Sequence, residues 1–370
     1  MNVLVVFTYN YSLNTWVDSG TFNKEIEIYK LLSEKGLTFT FLTFSEMDPK
    51  LKDLDDLNIK VIPVYKKIKR NKSKLLNYLK SFLIPFYFKN QLKSIDVIKQ
   101  NQLSGAWISI IFKFLLKKPL LVRTGYDMYE FSLKENKKPL IIFLYKTLTF
   151  ISLKFSDLYT VSSKSDITFL SENFKIKEKN IKIRPNWVKE SNSNELSTRD
   201  KKKIICVGRL EKQKNFEFII SAFADSDFEI DLIGTGSLEQ NLKDKAIKNN
   251  TKVNFLGKLN NEEILELLNK YKFYISSSFF EGNPKSTLEA MAAGCIVFAS
   301  DIPNHVELIN DRKNGFIFPF NMENFKDYFE KEISKNDLNL ISNNAKKIAI
   351  ENSIFKLVNL EYKDLVNLST

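Results

Sequence analysis

Short, mostly apolar runs alternate with amphipathic stretches along the first half of the chain. The stretch 22–36 places Ile26, Tyr29 and Leu32 at helical spacing and ends at Gly36, as helices often do. The apolar runs have the length of strands and are typical of parallel strands buried on both faces. They lie at 3–9, 39–44, 59–65, 120–125 and 158–163.

The alternation stops at 184–200, a polar stretch rich in Ser and Asn, and then restarts. Further strands are predicted at 203–210, 228–234, 252–257, 272–278 and 295–300. This pattern predicts an α/β protein with two Rossmann-like, doubly wound parallel-sheet domains that face each other across a cleft. The predicted parts are a first domain 1–185, a linker 186–202, a second domain 203–345, and a C-terminal helix 346–370 packing back toward the first domain.

Composition narrows the classes of protein that fit. With one histidine among 370 residues, a site built from several histidines is excluded. Cys206 and Cys295 lie in apolar runs and are expected to be buried free thiols in a reducing compartment. The most apolar stretch, 139–155, is interrupted by two lysines, so no bilayer-spanning helix is expected. We expect a cytoplasmic protein and consider a peripheral position at the inner face of the cell membrane.

The net charge of +12 is concentrated in segment 61–95, which holds nine Lys or Arg residues and no Asp or Glu. Because its cations are interleaved with aliphatic and aromatic side chains, the segment suits an anionic membrane surface. A solvated, lysine-rich helix face is the alternative. Nucleic acid is not expected as a partner, since no nucleic-acid-binding motif accompanies the charge.

VGRLEKQKN (207–215) lies where a strand gives way to a helix. Gly208 lets the backbone turn, and Arg209 and Lys214 would project beside a helix start that already favours anions. Two fixed cations there could neutralise a diphosphate. The alternative is a pair of solvated loop cations.

LIGTGSLEQNLK (232–243) is a second junction of this kind, with Gly236 as a candidate for close backbone approach to a nucleotide and Ser237 as a candidate helix cap. A plain tight turn explains the same letters, since the third glycine of a dinucleotide fingerprint is missing.

SSSFFEGNPKSTLEAMAAG (276–294) places Glu281 in the loop after a predicted strand. Pro284 suits a helix start, and Glu289 follows about one turn into that helix. A carboxylate in this position can accept hydrogen bonds from the adjacent hydroxyls of a ribose. Two glutamates eight residues apart are also common by chance, so the pair carries weight only through this placement.

Together these motifs resemble those of the retaining GT-B glycosyltransferases of the very large family four. Members carry a strand-end G-R-L with Lys and Asn downstream, and an E-x7-E element followed by A-M-A-x-G. The matching residues are Gly208, Arg209, Lys214 and Asn215, then Glu281, Glu289, Ala290, Met291, Ala292 and Gly294. The resemblance is strong over residues 203–320. Before residue 184 it extends to the fold and the order of the elements, with few matching residues.

The resemblance implies a role for each matching residue. Arg209 and Lys214 would bind the donor diphosphate, Glu289 the ribose, and Glu281 a hydroxyl of the donor sugar. Arg209, Lys214 and Glu281 are therefore the candidate catalytic residues in this half, with Gly208 beside the diphosphate.

The loop after Glu281 departs from the family pattern. The backbone at Gly282 and Asn283 would lie near the donor sugar or the phosphates. Family members more often have Phe-Gly after the first Glu-Gly, whereas this chain has Asn283-Pro284, which removes one backbone N–H.

The first half also departs from the family pattern, because many relatives place a histidine near the reacting sugar. The only histidine here is His305, in the second half, where a packing role is expected. Asp127 or Tyr126 is the candidate near the acceptor, with a loop Asp that caps a helix as the alternative. Gly20, before the 22–36 helix, is a candidate for approach to the diphosphate, with an ordinary helix-entry glycine as the alternative.

No metal is expected. Asp53-Leu-Asp55 and Asp225-Ser-Asp227 match the Asp-x-Asp letters of metal-dependent sugar transfer, but neither lies at a strand end.

The leading hypothesis is a metal-independent, retaining hexosyltransferase without a cofactor. It would move a sugar from a UDP- or GDP-sugar to a hydroxyl of a glycan or lipid-linked acceptor, in cell-surface polysaccharide or glycolipid synthesis. A non-catalytic nucleotide-sugar-binding subunit remains an alternative. A nicotinamide-dependent oxidoreductase is a further alternative, against which the missing GxGxxG argues.

Overall fold

The structure is a computed structural model that describes residues 1–175, 180–189 and 194–370. The chain forms two compact units, one of Met1–Pro185 with Phe355–Thr370 and one of Asn186–Ile354. We call them unit 1 and unit 2. Each unit is a parallel sheet with helices packed on it, as the strand–helix alternation of the sequence predicts.

Unit 1 contains a seven-stranded sheet in the order β3-β2-β1-β4-β5-β6-β7, and every pair of neighbours is parallel. The chain order of the strands reverses between β1 and β4, which creates a crevice at the carboxyl ends of these two strands. The strands are β1 (Asn2–Val6), β2 (Thr38–Thr43), β3 (Lys60–Pro63), β4 (Val97–Gln100), β5 (Leu120–Arg123), β6 (Leu158–Val161) and β7 (Ile181–Ile183).

The helices of unit 1 begin where capping residues allow. Ser163 caps α9 in a reciprocal capping box with Asp166, and Gly105, with a φ of 103°, precedes α6. The helices are α1 (Leu13–Asp18), α2 (Phe22–Glu34), α3 (Lys52–Asp56), α4 (Lys74–Ser81), α5 (Ile84–Phe88), α6 (Ala106–Leu116), α7 (Met128–Lys134), α8 (Pro139–Phe155) and α9 (Lys164–Asn173), with 3-10 turns at Val64–Lys66 and Lys89–Leu92.

Unit 2 contains a six-stranded parallel sheet in the order β10-β9-β8-β11-β12-β13, with its order reversal between β8 and β11. The strands are β8 (Asp200–Val207), β9 (Glu229–Ile233), β10 (Lys252–Gly257), β11 (Tyr271–Ser276), β12 (Ile296–Ser300) and β13 (Phe316–Phe318). Strand β12 is completely buried, as its unbroken apolar sequence predicts.

The helices around this sheet and the last helix of the chain complete the fold. They are α10 (Phe216–Ala222), α11 (Glu239–Lys248), α12 (Asn261–Leu268), α13 (Lys285–Ala292), α14 (Pro303–Val306), α15 (Phe325–Lys335), α16 (Leu338–Glu351) and α17 (Ile354–Ser369), with 3-10 turns at Leu196–Thr198 and Lys212–Lys214. Among the described residues, no helix is long and apolar enough to cross a bilayer.

Two element boundaries differ from the prediction. Strand β8 begins at Asp200, inside the stretch predicted as linker, because Asp200 pairs with Tyr271 of β11 despite its charge. Helix α16 runs through the predicted boundary at 345/346 and stays with unit 2, since its buried face packs on that unit. Residues 190–193 of the predicted linker lie outside the described residues.

Helix α17 belongs to unit 1 and is held there by buried charge pairs. Lys99 on β4 is buried and forms an ion pair with Glu361, and the ammonium group also lies 4.9 Å from the centre of the Tyr29 ring. Arg184 pairs with Asp364 at 2.5 Å. Because a buried charge needs a partner, these pairs fix the register of α17 on the sheet.

Candidate functional site

The two sequence motifs of unit 2 meet at the order reversal of its sheet. Residues 208–215 follow β8 and residues 277–284 follow β11, and these two strands are neighbours. Loops at the carboxyl ends of strands flanking such a reversal form the usual ligand crevice of an open parallel sheet. We call the two segments the β8 loop and the β11 loop.

An ion pair joins the two loops. The Nζ of Lys214 lies 2.5 Å from the Oε1 of Glu281, and the Ser278 hydroxyl donates to the same oxygen at 2.5 Å. Glu281 is only 8% exposed. Burial alone would raise the pKa of Glu281, but the ion pair and the hydrogen bonds from Lys214 and Ser278 hold it below the usual value. Glu281 is therefore an ionised carboxylate in a largely dry position.

Backbone and amide contacts keep the loops in register. The Phe279 amide donates to the Gln213 carbonyl at 2.9 Å, and the Gln213 side chain donates to the Phe280 carbonyl at 2.8 Å. The Ser277 hydroxyl donates to the Lys214 carbonyl at 2.9 Å. Arg209 is exposed, and its guanidinium lies 3.3 Å from the Gln213 amide oxygen. The β11 loop therefore supports the β8 loop, while Arg209 presents its charge to solvent.

The glycines of these loops are explained by close packing. A Cβ on Gly208 would lie 2.8 Å from Cε of Lys214, so the lysine stem lies directly over this glycine. A Cβ on Gly236 would lie 2.4 Å from the Leu210 carbonyl oxygen. Gly236 is thus required for the GTG turn to pack on the β8 loop. This contact explains the glycine as part of a tight turn, the alternative given for it above.

Ser237 does not cap a helix, which corrects the sequence prediction. Helix α11 begins at Glu239 without a side-chain cap, and the Ser237 hydroxyl instead donates to Glu211 at 2.8 Å. The reason is that Glu211, in the β8 loop, offers a charged acceptor for both the amide and the hydroxyl of Ser237.

Glu289 is the fifth of the eight residues of α13 and is 6% exposed. The Asn261 side chain donates to its Oε1 at 3.0 Å, and Lys285, one turn earlier, lies 3.3 Å from the same oxygen. Lys285 also lies over the Trp187 ring, 5.0 Å from its centre. These contacts orient the Glu289 carboxylate from the start of α12 and from within α13.

The turn between Glu281 and α13 is held through its carbonyl groups. The Asn304 side chain donates to the Gly282 carbonyl, and the Asn186 side chain donates to the Asn283 carbonyl at 3.1 Å. Helix α13 begins at Lys285, directly after Pro284, as expected. The turn thus aims the amino end of α13, with its unsatisfied N–H groups, at the order reversal of the sheet.

His305 is a buried packing residue, as the sequence indicates. It is fully buried, its Nδ1 lies 2.9 Å from the Ser300 carbonyl oxygen and its Nε2 lies 3.3 Å from the Ser276 hydroxyl. Burial lowers the pKa of His305 to about 4, with the nearby Glu281 acting in the opposite direction. The imidazole is therefore neutral, and its contacts connect the ends of β11 and β12 beneath the site.

Asp127 is a helix cap, which corrects its assignment as a catalytic candidate. It is 2% exposed, and its carboxylate accepts from the amides of Tyr129 at 2.9 Å and Glu130 at 3.0 Å and from the Thr149 hydroxyl at 3.1 Å. Burial raises the pKa of Asp127 to about 6, against these hydrogen bonds. A carboxylate so enclosed holds the start of α7 and presents no surface to an acceptor.

The other first-half candidates lie in turns. Gly20, with a φ of 71°, sits between α1 and α2, and its amide donates to the Val17 carbonyl at 2.9 Å. This left-handed backbone explains the glycine without a ligand. Tyr126 is largely exposed and packs on the Phe131 ring.

The first aspartate of each Asp-x-Asp sequence forms a contact with a side chain elsewhere in the chain. Asp53 lies in α3 and pairs with Lys30 at 2.9 Å, and Asp225 accepts from the Asn250 side chain at 2.8 Å. Among the described residues, no group of three or more His, Cys, Asp or Glu side chains could hold a metal ion.

Several supporting residues were missed by the sequence reasoning. Ser278, Gln213, Asn261 and Asn304 each hold a predicted site residue or its loop. The run of three serines before the E-x7-E element was a signal for Ser278. Asn261 and Asn304 come from other segments, and nothing in the local sequence singles them out.

Comparison with known proteins finds relatives over much of the chain. Residues 188–348 match the family model "Glycosyl transferases group 1". An uncharacterized glycosyltransferase of Methanocaldococcus jannaschii, MJ1069, is 28% identical over 342 residues, covering 82% of this chain and 87% of that protein. The N-acetylgalactosamine-N,N'-diacetylbacillosaminyl-diphospho-undecaprenol 4-alpha-N-acetylgalactosaminyltransferase of Campylobacter jejuni is 30% identical over 178 residues, covering 46% of this chain and 48% of that protein.

Solved structures match along the whole chain. Anabaena Alr3699/HepE in complex with UDP and glucose superposes with a TM-score of 0.75 at 15% identity, covering 99% of this chain and 100% of that one. Sucrose-phosphate synthase from Thermosynechococcus elongatus gives 0.77 at 12% identity, covering 99% and 98%. These matches confirm the predicted fold class of two Rossmann-like domains of the GT-B type.

Proposed function

We propose that this chain, whose residues 188–348 match the family model of group 1 glycosyltransferases, is a retaining, metal-independent hexosyltransferase that uses a nucleotide-diphosphate sugar. The observation that carries the proposal is the contact between Lys214 and Glu281 at the order reversal of the unit 2 sheet. The two residues are 67 positions apart, yet they form one charged pair beside the amino end of α13. A cation, a carboxylate and a helix start suit a phosphorylated, polyhydroxylated ligand.

Arg209 and Lys214 would neutralise the diphosphate. Arg209 is exposed and can meet the incoming anion, while Lys214 lies in the space that Gly208 leaves and is positioned by its ion pair with Glu281. The Lys214 ammonium has three donors, so it can keep Glu281 and also donate to a phosphate oxygen. The amino end of α13 adds N–H groups to the same region.

The two glutamates would bind hydroxyl groups. Glu289 is oriented by Asn261 and Lys285 and is proposed to accept hydrogen bonds from the ribose. Glu281, kept ionised by Lys214, is proposed to accept from a hydroxyl of the donor sugar. The carbonyls of Gly282 and Asn283 are engaged in holding the turn, so any contact from this turn to the donor would come through its remaining groups.

The transfer would proceed on one face of the sugar. The bond between the anomeric carbon and the diphosphate oxygen breaks, and a bond from that carbon to the acceptor oxygen forms on the same side. The acceptor proton passes to the departing diphosphate oxygen. Arg209 and Lys214 would stabilise the charge that grows on the leaving group, so no metal ion is required in this proposal.

The proposed acceptor is a hydroxyl of a glycan or of a lipid-linked saccharide, in polysaccharide or glycolipid synthesis. The Campylobacter jejuni relative is named for a diphospho-undecaprenol acceptor, which supports this class. Unit 1 supplies the second order reversal, between β1 and β4, where a second ligand would be expected.

Segment 61–95 is proposed to bind an anionic membrane surface. Within it, α4 and α5 expose large apolar side chains, and Lys66, Lys67, Lys69 and Arg70 are exposed beside them. The exposed apolar residues are Leu75, Leu76, Tyr78, Leu79, Phe82, Leu83, Phe86 and Tyr87. Cations that flank an exposed apolar surface suit the interface of an anionic bilayer.

Nucleotide binding tests the core of the proposal. Thermal unfolding with UDP, GDP and their sugars should show stabilisation by one nucleotide series, and NAD(H) should give none. Release of a labelled sugar onto an acceptor or water would separate an enzyme from a non-catalytic binding subunit. Stabilisation by NAD(H) alone would overturn the proposal.

Vesicle binding tests the membrane part separately. Replacing Lys66, Lys67, Lys69 and Arg70 with glutamine should remove most binding to anionic vesicles at low salt and leave nucleotide affinity unchanged. Equal binding of the native protein to neutral and anionic vesicles would contradict the role of these cations.

A further inference from the structure

The first two turns of α8 expose an apolar surface that the proposed function does not use. Leu140 is 68% exposed, Phe143 is 64% exposed and Leu144 is 53% exposed. They belong to the sequence PLIIFLY, at the start of a helix whose later residues Thr149 and Ser152 are buried. Soluble proteins rarely expose several large apolar side chains side by side. A surface of this kind is therefore typical of a contact site.

Lysines predominate in the sequence that carries this surface. Residues 136–156 contain four lysines and no Asp or Glu. Lys138 directly precedes the helix, and Lys137 beside it pairs with Glu135 at 3.1 Å. Lys146, at the end of the exposed part, lies 5.5 Å from the centre of the Tyr129 ring. An apolar surface bounded by lysines complements the acyl region and headgroups of an anionic leaflet.

The exposed turns lie at the carboxyl edge of the unit 1 sheet. The Thr149 hydroxyl donates to Asp127, four residues beyond the end of β5, so α8 is level with this edge at Thr149. The helix ends at Phe155, just before β6 begins. At 1.5 Å per residue, Leu140 and Leu144 lie about 8 to 14 Å further along the helix than Thr149. The exposed apolar turns therefore project past the sheet.

Helix α4 lies at the same edge and on the same side. The Trp107 indole donates to the Ser81 hydroxyl at 2.8 Å, and its ring packs on Tyr78. Trp107 is the second residue of α6, which begins six residues after the carboxyl end of β4. Helix α6 packs against both α5 and α8, so all three helices share one face of the sheet. Unit 1 thus presents two apolar, lysine-containing elements at one edge.

We propose that the first two turns of α8 are a second membrane-binding element, inserting Leu140, Phe143 and Leu144 into an anionic leaflet. The inference rests on the proposed membrane role of segment 61–95 and extends it. Two elements at one edge would fix the orientation of unit 1 on the bilayer, whereas one element would leave it free to rotate. They would also hold the crevice between β1 and β4 near the surface, where a lipid-linked acceptor presents its sugar.

The test is a triple variant, Leu140→Ser, Phe143→Ser and Leu144→Ser, in the full chain. Its partition onto vesicles containing anionic lipid should fall on the order of thirtyfold or more, because three apolar side chains lose their transfer into the leaflet. Ile247→Ser with Leu340→Ser is the matched control, since these residues are 80% and 58% exposed in unit 2. The control should bind vesicles as the native protein does.

A second measurement places a reporter in the helix. With anionic vesicles, Phe143→Trp should show a blue-shifted emission and quenching by lipids brominated on the acyl chain. Neither change should occur with vesicles of neutral lipid, to which the protein is not expected to bind. If tryptophan at 143 is not quenched while the protein is vesicle-bound, insertion of α8 is refuted. Unchanged vesicle binding by the triple variant would refute it as well.

The outcomes separate this inference from the proposed function. Loss of vesicle binding in the glutamine variant of segment 61–95, but not in the α8 variant, would overturn the second element and leave the proposed function standing. No vesicle binding by the native protein would overturn both membrane assignments without touching nucleotide binding. If light scattering showed a dimer that the triple variant abolishes, the surface would be a contact between copies and the inference would be wrong.

Discussion

Removing Lys214 should destabilise unit 2 because it leaves Glu281 as a buried, unpaired carboxylate. The side chains of Lys214 and Glu281 are 15% and 9% exposed, and Ser278 alone would remain as a donor to Oε1. Breaking a buried pair by removing one partner costs on the order of 3–5 kcal/mol. Since Ser278 and some solvent remain, we expect Lys214→Met to cost about 2–3 kcal/mol at pH 7.

The cost should depend on pH in a defined direction. In the native protein the pKa of Glu281 is lowered, so the pair contributes stability above the ordinary glutamate value of 4.5 and loses it as the pH falls through the folded pKa. In Lys214→Met, burial is no longer opposed by the ammonium, and the pKa of Glu281 should rise. The carboxylate then takes up a proton at a higher pH than in the native protein. The difference in free energy of unfolding between variant and native protein should therefore shrink from pH 7 toward pH 4.5.

The assay is urea unfolding followed by tryptophan fluorescence. Trp187 is the only tryptophan in unit 2, so Trp16→Phe with Trp107→Phe gives a background in which the signal reports that unit. The double variant Lys214→Met, Glu281→Gln should be more stable than Lys214→Met alone, because it removes the stranded charge.

An exposed pair supplies the matched control. Lys243→Met removes the partner of Glu239, which lies at 2.7 Å on the surface of α11, and should cost less than 1 kcal/mol, as is typical of surface pairs. If Lys214→Met cost no more than this control, or if the Lys214 and Glu281 substitutions were additive, the reasoning about a buried coupled pair would be refuted.

Three further predictions concern single residues. Glu289→Ala should weaken nucleotide binding by about 2–4 kcal/mol in calorimetry; unchanged affinity would contradict the ribose assignment. Arg209→Ala should lower kcat by roughly a hundredfold and change KM less, in steady-state transfer assays, because the leaving-group charge grows in the transition state; a raised KM with normal kcat would argue against this role. Asp127→Asn should keep the α7 cap and remove a pH dependence of stability: with a folded pKa of about 6 against an ordinary 3.8, the native protein loses stability from pH 4 to pH 6, and the variant should not.

The sequence predicted the second half well because its site is built from contiguous motifs. Gly208, Arg209 and Lys214 lie in one loop, and Glu281 and Glu289 lie in one strand–turn–helix junction. Both junctions carry local signals, a glycine turn and a proline at a helix start, that fix where the side chains must project. Their meeting follows from strand order: β8 and β11 are neighbours at the reversal. That order is a property of the fold class that the alternation predicts.

The first half was harder because the relevant choices depend on burial. Asp127 follows a strand in the position expected for an acceptor-side residue, and its sequence context is the same whether it faces solvent or the core. The structure turns it inward because the amides at the start of α7 and the Thr149 hydroxyl offer three donors. Thr149 is 22 residues away, so no local pattern could show the choice. The exposure of Leu140 and Phe143 was hidden for the same reason, since an apolar helix start normally indicates a core.

In the proposed function, the Lys214–Glu281 pair would let one site serve both a diphosphate and a neutral sugar. A carboxylate alone at the order reversal would repel the donor phosphates, and a lysine alone would leave the buried Glu281 position without a charge to bind hydroxyls. Paired, the two residues are close to neutral together, so the crevice gains its net attraction for anions from the exposed Arg209 and the amino end of α13. As the proposed diphosphate leaving group departs and its charge grows, Lys214 would strengthen its interaction with phosphate from its place over Gly208, where a Cβ would collide with its stem. The stabilisation would then be largest in the transition state, which is what a metal-independent transfer requires of its cations.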